Sequence, residues 1–286
     1  MHCAASWSLK GHHRKHDIGA VAMKITRVQL SRKHFEAMPR AERTAVLLLG
    51  HACNEIGVLQ KIILIASAHN APPNKVIDQV QAAQVLILLR ILVGKLHEAW
   101  RLFTKRGQPL RAKYLPQLSA EATAALNSLG RHFANDQRLA AIRNQQSFHY
   151  SDDHDLVEQH LPNIPETEPW NFYLSGPQYN SFYYASELVI TNVTAQLAMP
   201  SDAKFMTGHL AQEQAGVNAY FELAYTVAGQ ITGMFGEFIA AIITSTMSDI
   251  EAEEIEIGPA AKFSQLELPF FWDEADFANM RQHLPD

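Results

Sequence analysis

Gln84-Val85-Leu86-Ile87-Leu88-Leu89-Arg90-Ile91-Leu92-Val93 is the stretch that decides the fold of this 286-residue chain. It is the centre of a long apolar pattern that reads as a helix from about 75 to 104. Ala71-Pro72-Pro73-Asn74 breaks the chain just before it, and Gly107 and Pro109 end it. Upstream, Val46, Leu49, Cys53, Ile56, Leu59 and Ile63 recur at helical spacing and predict a helix from 43 to about 68. Downstream, Ser119-Ala120-Glu121 starts a shorter third helix that ends near Phe133. Asn135 or Asp136 can cap a fourth, through Leu139-Ala140-Ala141-Ile142 and on to Arg143. Four such helices with short connections predict an all-α bundle with antiparallel neighbours.

Past residue 160 the character changes. Pro162, Pro165 and Pro169 mark a linker. The aromatic runs Trp170-Asn171-Phe172-Tyr173-Leu174 and Ser181-Phe182-Tyr183-Tyr184 flank Gly176-Pro177 and predict a small β-hairpin. A helix follows from 187 to 198, and a longer one from about 214 to 247. The second contains a very apolar segment, 231–246, but Gln230 and Glu237 interrupt it. Its uninterrupted apolar length falls short of the roughly 20 residues of a membrane span, so it reads as a buried packing or dimer helix. Residues 1–40 are polar, carry His12, His13 and His16, and read as a flexible N-terminal extension. The expected division is therefore an extension at 1–40, a bundle at 41–160 and a helical C-terminal extension packed on it at 161–286.

A hydrophobic share of 47% and a charged share of 19% describe a globular, soluble protein. Cys3 and Cys53 provide neither a disulfide framework nor a zinc spacing, which suits a reducing cytoplasm. The first residues lack the apolar core of a signal peptide. A net charge of −5 hides a strong split. Residues 1–150 hold 21 Lys and Arg against 8 Asp and Glu, whereas residues 151–286 hold 3 against 21. A basic half suits a phosphate-backbone binder, and two oppositely charged layers also attract each other within one fold. The acidic run at 249–256 reads as a solvated surface, or as a segment that folds back toward the basic half and competes with a bound polyanion for it.

The chemistry is concentrated in Arg143-Asn144-Gln145-Gln146-Ser147-Phe148-His149. Arg143 offers a permanently charged planar fork that fits a phosphate. His149 can take or give a proton near neutral pH. Asn144 can hydrogen-bond either of them and hold it in place. On one ideal helix, residues six apart diverge by about 120° and lie about 9 Å apart along the axis. A tight pair within one straight helix is excluded. The length of arginine and a helix end near His149, where Ser151-Asp152-Asp153 favour a turn, ease the divergence, and a two-fold dimer would also bring two copies of the motif together.

This R-N-x4-H pattern resembles the signature of the HEPN superfamily, helical proteins that include bacterial defence and toxin ribonucleases. The order of elements from 41 to about 155, with its His-Tyr-Ser-Asp exit, is similar to abortive-infection-type members. The resemblance implies a four-helix HEPN-like bundle and a homodimer. It also implies metal-independent endoribonuclease activity, with Arg143, Asn144 and His149 catalytic and no cofactor. Asn54, Glu55 and Tyr150 are the supporting candidates, although Asn54 and Glu55 equally suit the edge of a buried stripe. RNA is the expected partner, an antitoxin or regulatory protein a further one, and the expected setting is cytoplasmic with no membrane.

Two other functions fit the same segment. One is a non-catalytic HEPN-like module that holds a nucleotide or a protein. The other is a metal-dependent phosphohydrolase using His149, Asp152, Asp153 and His154, with Asp155 and His160 nearby. No phosphate-binding glycine loop, nucleophile elbow or dinucleotide fingerprint is present.

Overall fold

A computed structural model describes residues 22–68, 74–135, 171–176, 180–183, 209–247, 250–259, 261–271 and 273. They are mostly helical, as the apolar periodicity predicts, with two small two-stranded sheets. In chain order they form β1 (Ala22–Val28), α1 (Arg32–Ala37), α2 (Arg40–Ser67) and α3 (Lys75–Arg106). A short α4 (Arg111–Tyr114) and α5 (Ala120–Asn135) follow, then β2 (Phe172–Tyr173), β3 (Phe182–Tyr183), α6 (His209–Thr246) and β4 (Ala252–Pro259).

The helix boundaries have local causes. The Asn74 side chain accepts hydrogen bonds from the backbone N–H groups of Val76 and Ile77, at 3.0 and 3.3 Å, and so caps α3. Ser119 Oγ accepts from the Ala122 N–H at 3.0 Å and caps α5. At the other end of α3, Gly107 packs under Phe103. A Cβ there would stand 2.5 Å from the Phe103 ring, so the residue after the helix must be glycine for the aromatic to stay seated.

Contacts fix the helix directions. Gln81 donates to the Ala66 carbonyl, Lys95 pairs with Glu55, and Lys113 pairs with Glu42, so α2 and α3 run antiparallel. Tyr225 donates to the Gln60 carbonyl and Cys53 lies against the Thr232 carbonyl, so α6 runs antiparallel to α2. Glu237 accepts from Ser119 while Gln230 reaches Ser128, which sets α5 antiparallel to α6. The core between these four helices holds Leu49, Ile56, Leu89, Leu92, Leu96, Leu129, Ile231 and Phe238. At one end Phe103 stacks on Phe235 at 5.4 Å and meets Phe238 edge-on at 5.5 Å.

Three expectations change. The bundle core described here takes α6, the long C-terminal helix, as a full member together with α2, α3 and α5. The helix expected to carry Arg143, and the one expected at 187–198, lie outside the described residues. Second, part of the supposedly irregular N-terminal extension is ordered: residues 22–37 form β1 and α1. Its strand partner is the acidic run. β1 pairs antiparallel with β4, setting Ile25 opposite Ile255 and Arg27 opposite Glu253, and ion pairs Lys24–Glu254 and Arg27–Glu253 cross the ribbon. Third, residues 252–256 of the acidic run therefore belong to a strand, although the glutamates there remain exposed.

The hairpin expected from the aromatic runs is present as β2 and β3, with Phe172 opposite Tyr183 and Tyr173 opposite Phe182. Phe182 packs on Val80 and Ala83 of α3, alongside Phe270 and Phe271. Three helices are long and apolar enough to cross a membrane by length and composition: Arg40–Ser67, Lys75–Arg106 and Gly216–Thr246. The third of these helices carries two carboxylates, Glu222 and Glu237.

Candidate functional site

The motif residues Arg143, Asn144, His149 and Tyr150 lie outside the described residues, as do the alternative metal ligands Asp152, Asp153 and His154. Asn54 and Glu55 do not. Asn54 is exposed on α2. Glu55 is half-buried and faces α3, where Lys95 Nζ donates to its Oε1 at 2.5 Å; His51 Nε2 stands 3.7 Å from its second oxygen. The Glu55 carboxylate thus ties α2 to α3, which agrees with a residue at the edge of a buried stripe.

The bundle interior carries polar groups that the apolar pattern hides. Arg90 and His97 are seven residues apart on α3, two helical turns, and so share a face. The Arg90 Nε, His97 Nδ1 and His132 Nε2 nitrogens are all shielded from solvent. His97 and His132 flank the ring of Phe133 edge-on, with centroids at 6.2 and 5.2 Å, and Phe133 stacks on Trp100 at 5.1 Å. Tyr220 of α6 is fully buried, and its hydroxyl has no hydrogen-bond partner among the described residues. Burial pushes its pKa far up, while the nearby Arg90 charge acts in the opposite direction. An arginine, two histidines and a phenol thus line the α3, α5 and α6 contact. The sequence signal was Arg90, the one charge inside the decisive apolar run.

Near the end of α5, Phe133 lies against His97 and Trp100 of α3. From His97 the same face of α3 continues through Arg101 and Lys105, at intervals of four residues. Thereafter the chain turns through Gln108–Leu110 into α4 and adds Arg111 and Lys113.

At that end of the bundle one carboxylate is buried. Glu42, 6% exposed, accepts from Lys113 Nζ at 3.1 Å and from the Tyr114 hydroxyl at 3.3 Å. Burial alone raises a carboxyl pKa, but these donors and its own backbone N–H outweigh burial and hold Glu42 below the usual value. Glu237 on α6 receives both the backbone N–H and the hydroxyl of Ser119, at 2.9 and 2.8 Å, and these bonds lower its pKa. Cys53 is a free thiol whose pKa burial pushes up to about 11, which leaves it unreactive near neutral pH. Among the described residues no group of His, Cys, Asp or Glu has a metal-binding arrangement.

No known protein family, curated protein or solved structure matches this chain.

Proposed function

We propose that this protein is a metal-independent endoribonuclease of the HEPN-like, defence or toxin type, acting in the cytoplasm as a two-fold dimer. The observation that carries the reading is the sequence Arg143-Asn144-x4-His149, set in a strongly basic half of a helical chain. In this mechanism a ribose 2′-hydroxyl attacks the adjacent phosphorus, and the 5′-oxygen of the next nucleotide leaves. His149 of one subunit takes the hydroxyl proton, and the symmetry-related His149 gives a proton to the leaving oxygen. Arg143 balances the charge that builds on the phosphate oxygens, while Asn144 orients one of its neighbours. The products are a 2′,3′-cyclic phosphate and a free 5′-hydroxyl. Purified protein incubated with RNA in EDTA tests the reading. Cyclic-phosphate ends support it, and cleavage that appears only on addition of a divalent metal favours the cluster of His149, Asp152, Asp153 and His154.

A second reading has its own observation. Three helices of membrane-spanning length and apolarity fit a membrane-associated helical protein. Partition of the expressed protein between soluble and membrane fractions separates the two. Recovery in the membrane fraction after a carbonate wash would count against the cytoplasmic enzyme.

A further inference from the structure

From Arg101 to Lys113 the chain carries five cations, Arg101, Lys105, Arg106, Arg111 and Lys113, and no carboxylate. The structure gathers them at one end of the bundle. Arg101, Lys105 and Arg106 occupy the last turns of α3, Arg111 and Lys113 stand on α4, and the Lys113–Glu42 pair brings the start of α2, with Arg40, to the same place. Lys105 and Arg106 are exposed and, among the described residues, make no ion pair, and neither does Arg40. Among the described residues Arg111 donates to the neutral Gln108 amide alone, at 2.8 Å. Arg101 is matched by Glu98 at 3.4 Å, both side chains well exposed, a pairing of small value.

Cations near a helix C-terminus also favour the helix dipole. That explains Lys105 and Arg106 but not Arg111 and Arg40, which stand near helix starts, where a positive charge is unfavourable. Elsewhere among the described residues, charged groups are also used in pairs: Glu55 with Lys95 and Glu36 with Arg32. A surface that concentrates unmatched cations across two helix starts and one helix end is complementary to a polyanion.

We propose that this end of the bundle, centred on Lys105, Arg106, Arg111 and Arg40, holds the phosphate backbone of single-stranded RNA. The choice of RNA rests on the ribonuclease reading above. A strand placed on α3 can follow the exposed face from Lys105 past Arg101 toward the end of α5, whose Phe133 packs on Trp100. Eight residues of helix separate Lys105 from His97, about 12 Å. Among the described residues no exposed aromatic belongs to this cationic group, so the grip is by charge, tolerant of sequence and steep in salt.

The probe is a fluorescent 2′-O-methyl RNA oligomer, uncleavable because the attacking hydroxyl is blocked, titrated by anisotropy at several salt concentrations. Lys105→Gln with Arg106→Gln is compared with Lys61→Gln and Lys75→Gln, which remove the same charge from exposed positions on α2 and α3 away from this end. At about 0.7 per phosphate contact, the first pair lowers the slope of log Kd against log salt by about 1.4, and the second leaves it near the wild-type value. An unchanged slope in the first pair overturns the proposal, as does an equal loss in both pairs. Patch-dependent binding of polyglutamate without binding of RNA also overturns it, and assigns the surface to an acidic protein. The same samples assayed on unmodified RNA separate this inference from the one beneath it. Patch-dependent binding with no cleavage sinks the ribonuclease alone, and cleavage with patch-independent binding sinks the surface alone.

Discussion

The four-helix core and the β1–β4 ribbon are built on opposite terms. In the core, α2, α3, α5 and α6 bury large side chains such as Phe103, Phe235 and Leu92, and α6 packs against each of the other three. In the ribbon, two strands more than 220 residues apart in sequence pair along their backbones, and Met23, Ile25, Val28 and Ile257 remain exposed. A lone two-stranded ribbon is marginal in water, and its ion pairs add little because they are solvated. The difference teaches that in this chain burial supplies stability, whereas the two distant strands are joined by backbone pairing with solvated ion pairs across it.

The largest test of that contrast is Phe103→Ala. It removes a ring fully enclosed by Trp100, Phe235 and Phe238, and we expect a loss of about 3–5 kcal/mol in a urea unfolding curve. Gly107→Ala presses a methyl group against the same ring and should cost about 1–3 kcal/mol. A neutral result would mean that the end of α3 yields more easily than the packing implies.

Glu42→Gln sharpens the comparison from the polar side. It weakens two hydrogen bonds at a buried position, and the expected cost is about 1–3 kcal/mol near neutral pH. The sign with pH follows from the direction of the shift. Glu42 has a lower pKa folded than its usual 4.5, so its contribution is complete above 4.5 and is lost as pH falls through the folded value. The glutamine variant should lack that acid-side decline, and an identical pH profile would deny Glu42 the role. The smallest effect belongs to the ribbon. Arg27→Ala removes an exposed pairing with Glu253 and should cost less than about 1 kcal/mol, fading further at high salt. If it costs as much as Phe103→Ala, the contrast between the two regions fails.

The same contrast explains what was legible in the sequence. Helix positions follow from local rules: the 3.6-residue period of Val46, Leu49, Cys53 and Ile56, the Asn74 cap, and the Ser119 start all sit within a few residues of what they specify. The hairpin at Phe172 and Phe182 was equally local. β1 and β4 escaped because the alternation in each is short, Met23-Lys24-Ile25-Thr26 in one and Glu254-Ile255-Glu256-Ile257 in the other. The partner that makes sense of each lies near the other end of the chain. The split between a basic and an acidic half was the visible trace of that pairing, although its strand geometry was not. Arg90, His97 and His132 were hidden by the apolar residues around them. The candidate catalytic site itself remains a reading of Arg143, Asn144 and His149 as a sequence, supported by their chemistry.

Cleavage of RNA in EDTA by wild-type protein and by His149→Ala, at equal concentration and with folding verified by circular dichroism, tests the central claim most directly. The account predicts metal-free cleavage by the wild type and a rate lower by about 10²–10⁴-fold in the variant, the range typical for loss of a general acid–base group. Undiminished cleavage by folded His149→Ala would contradict it.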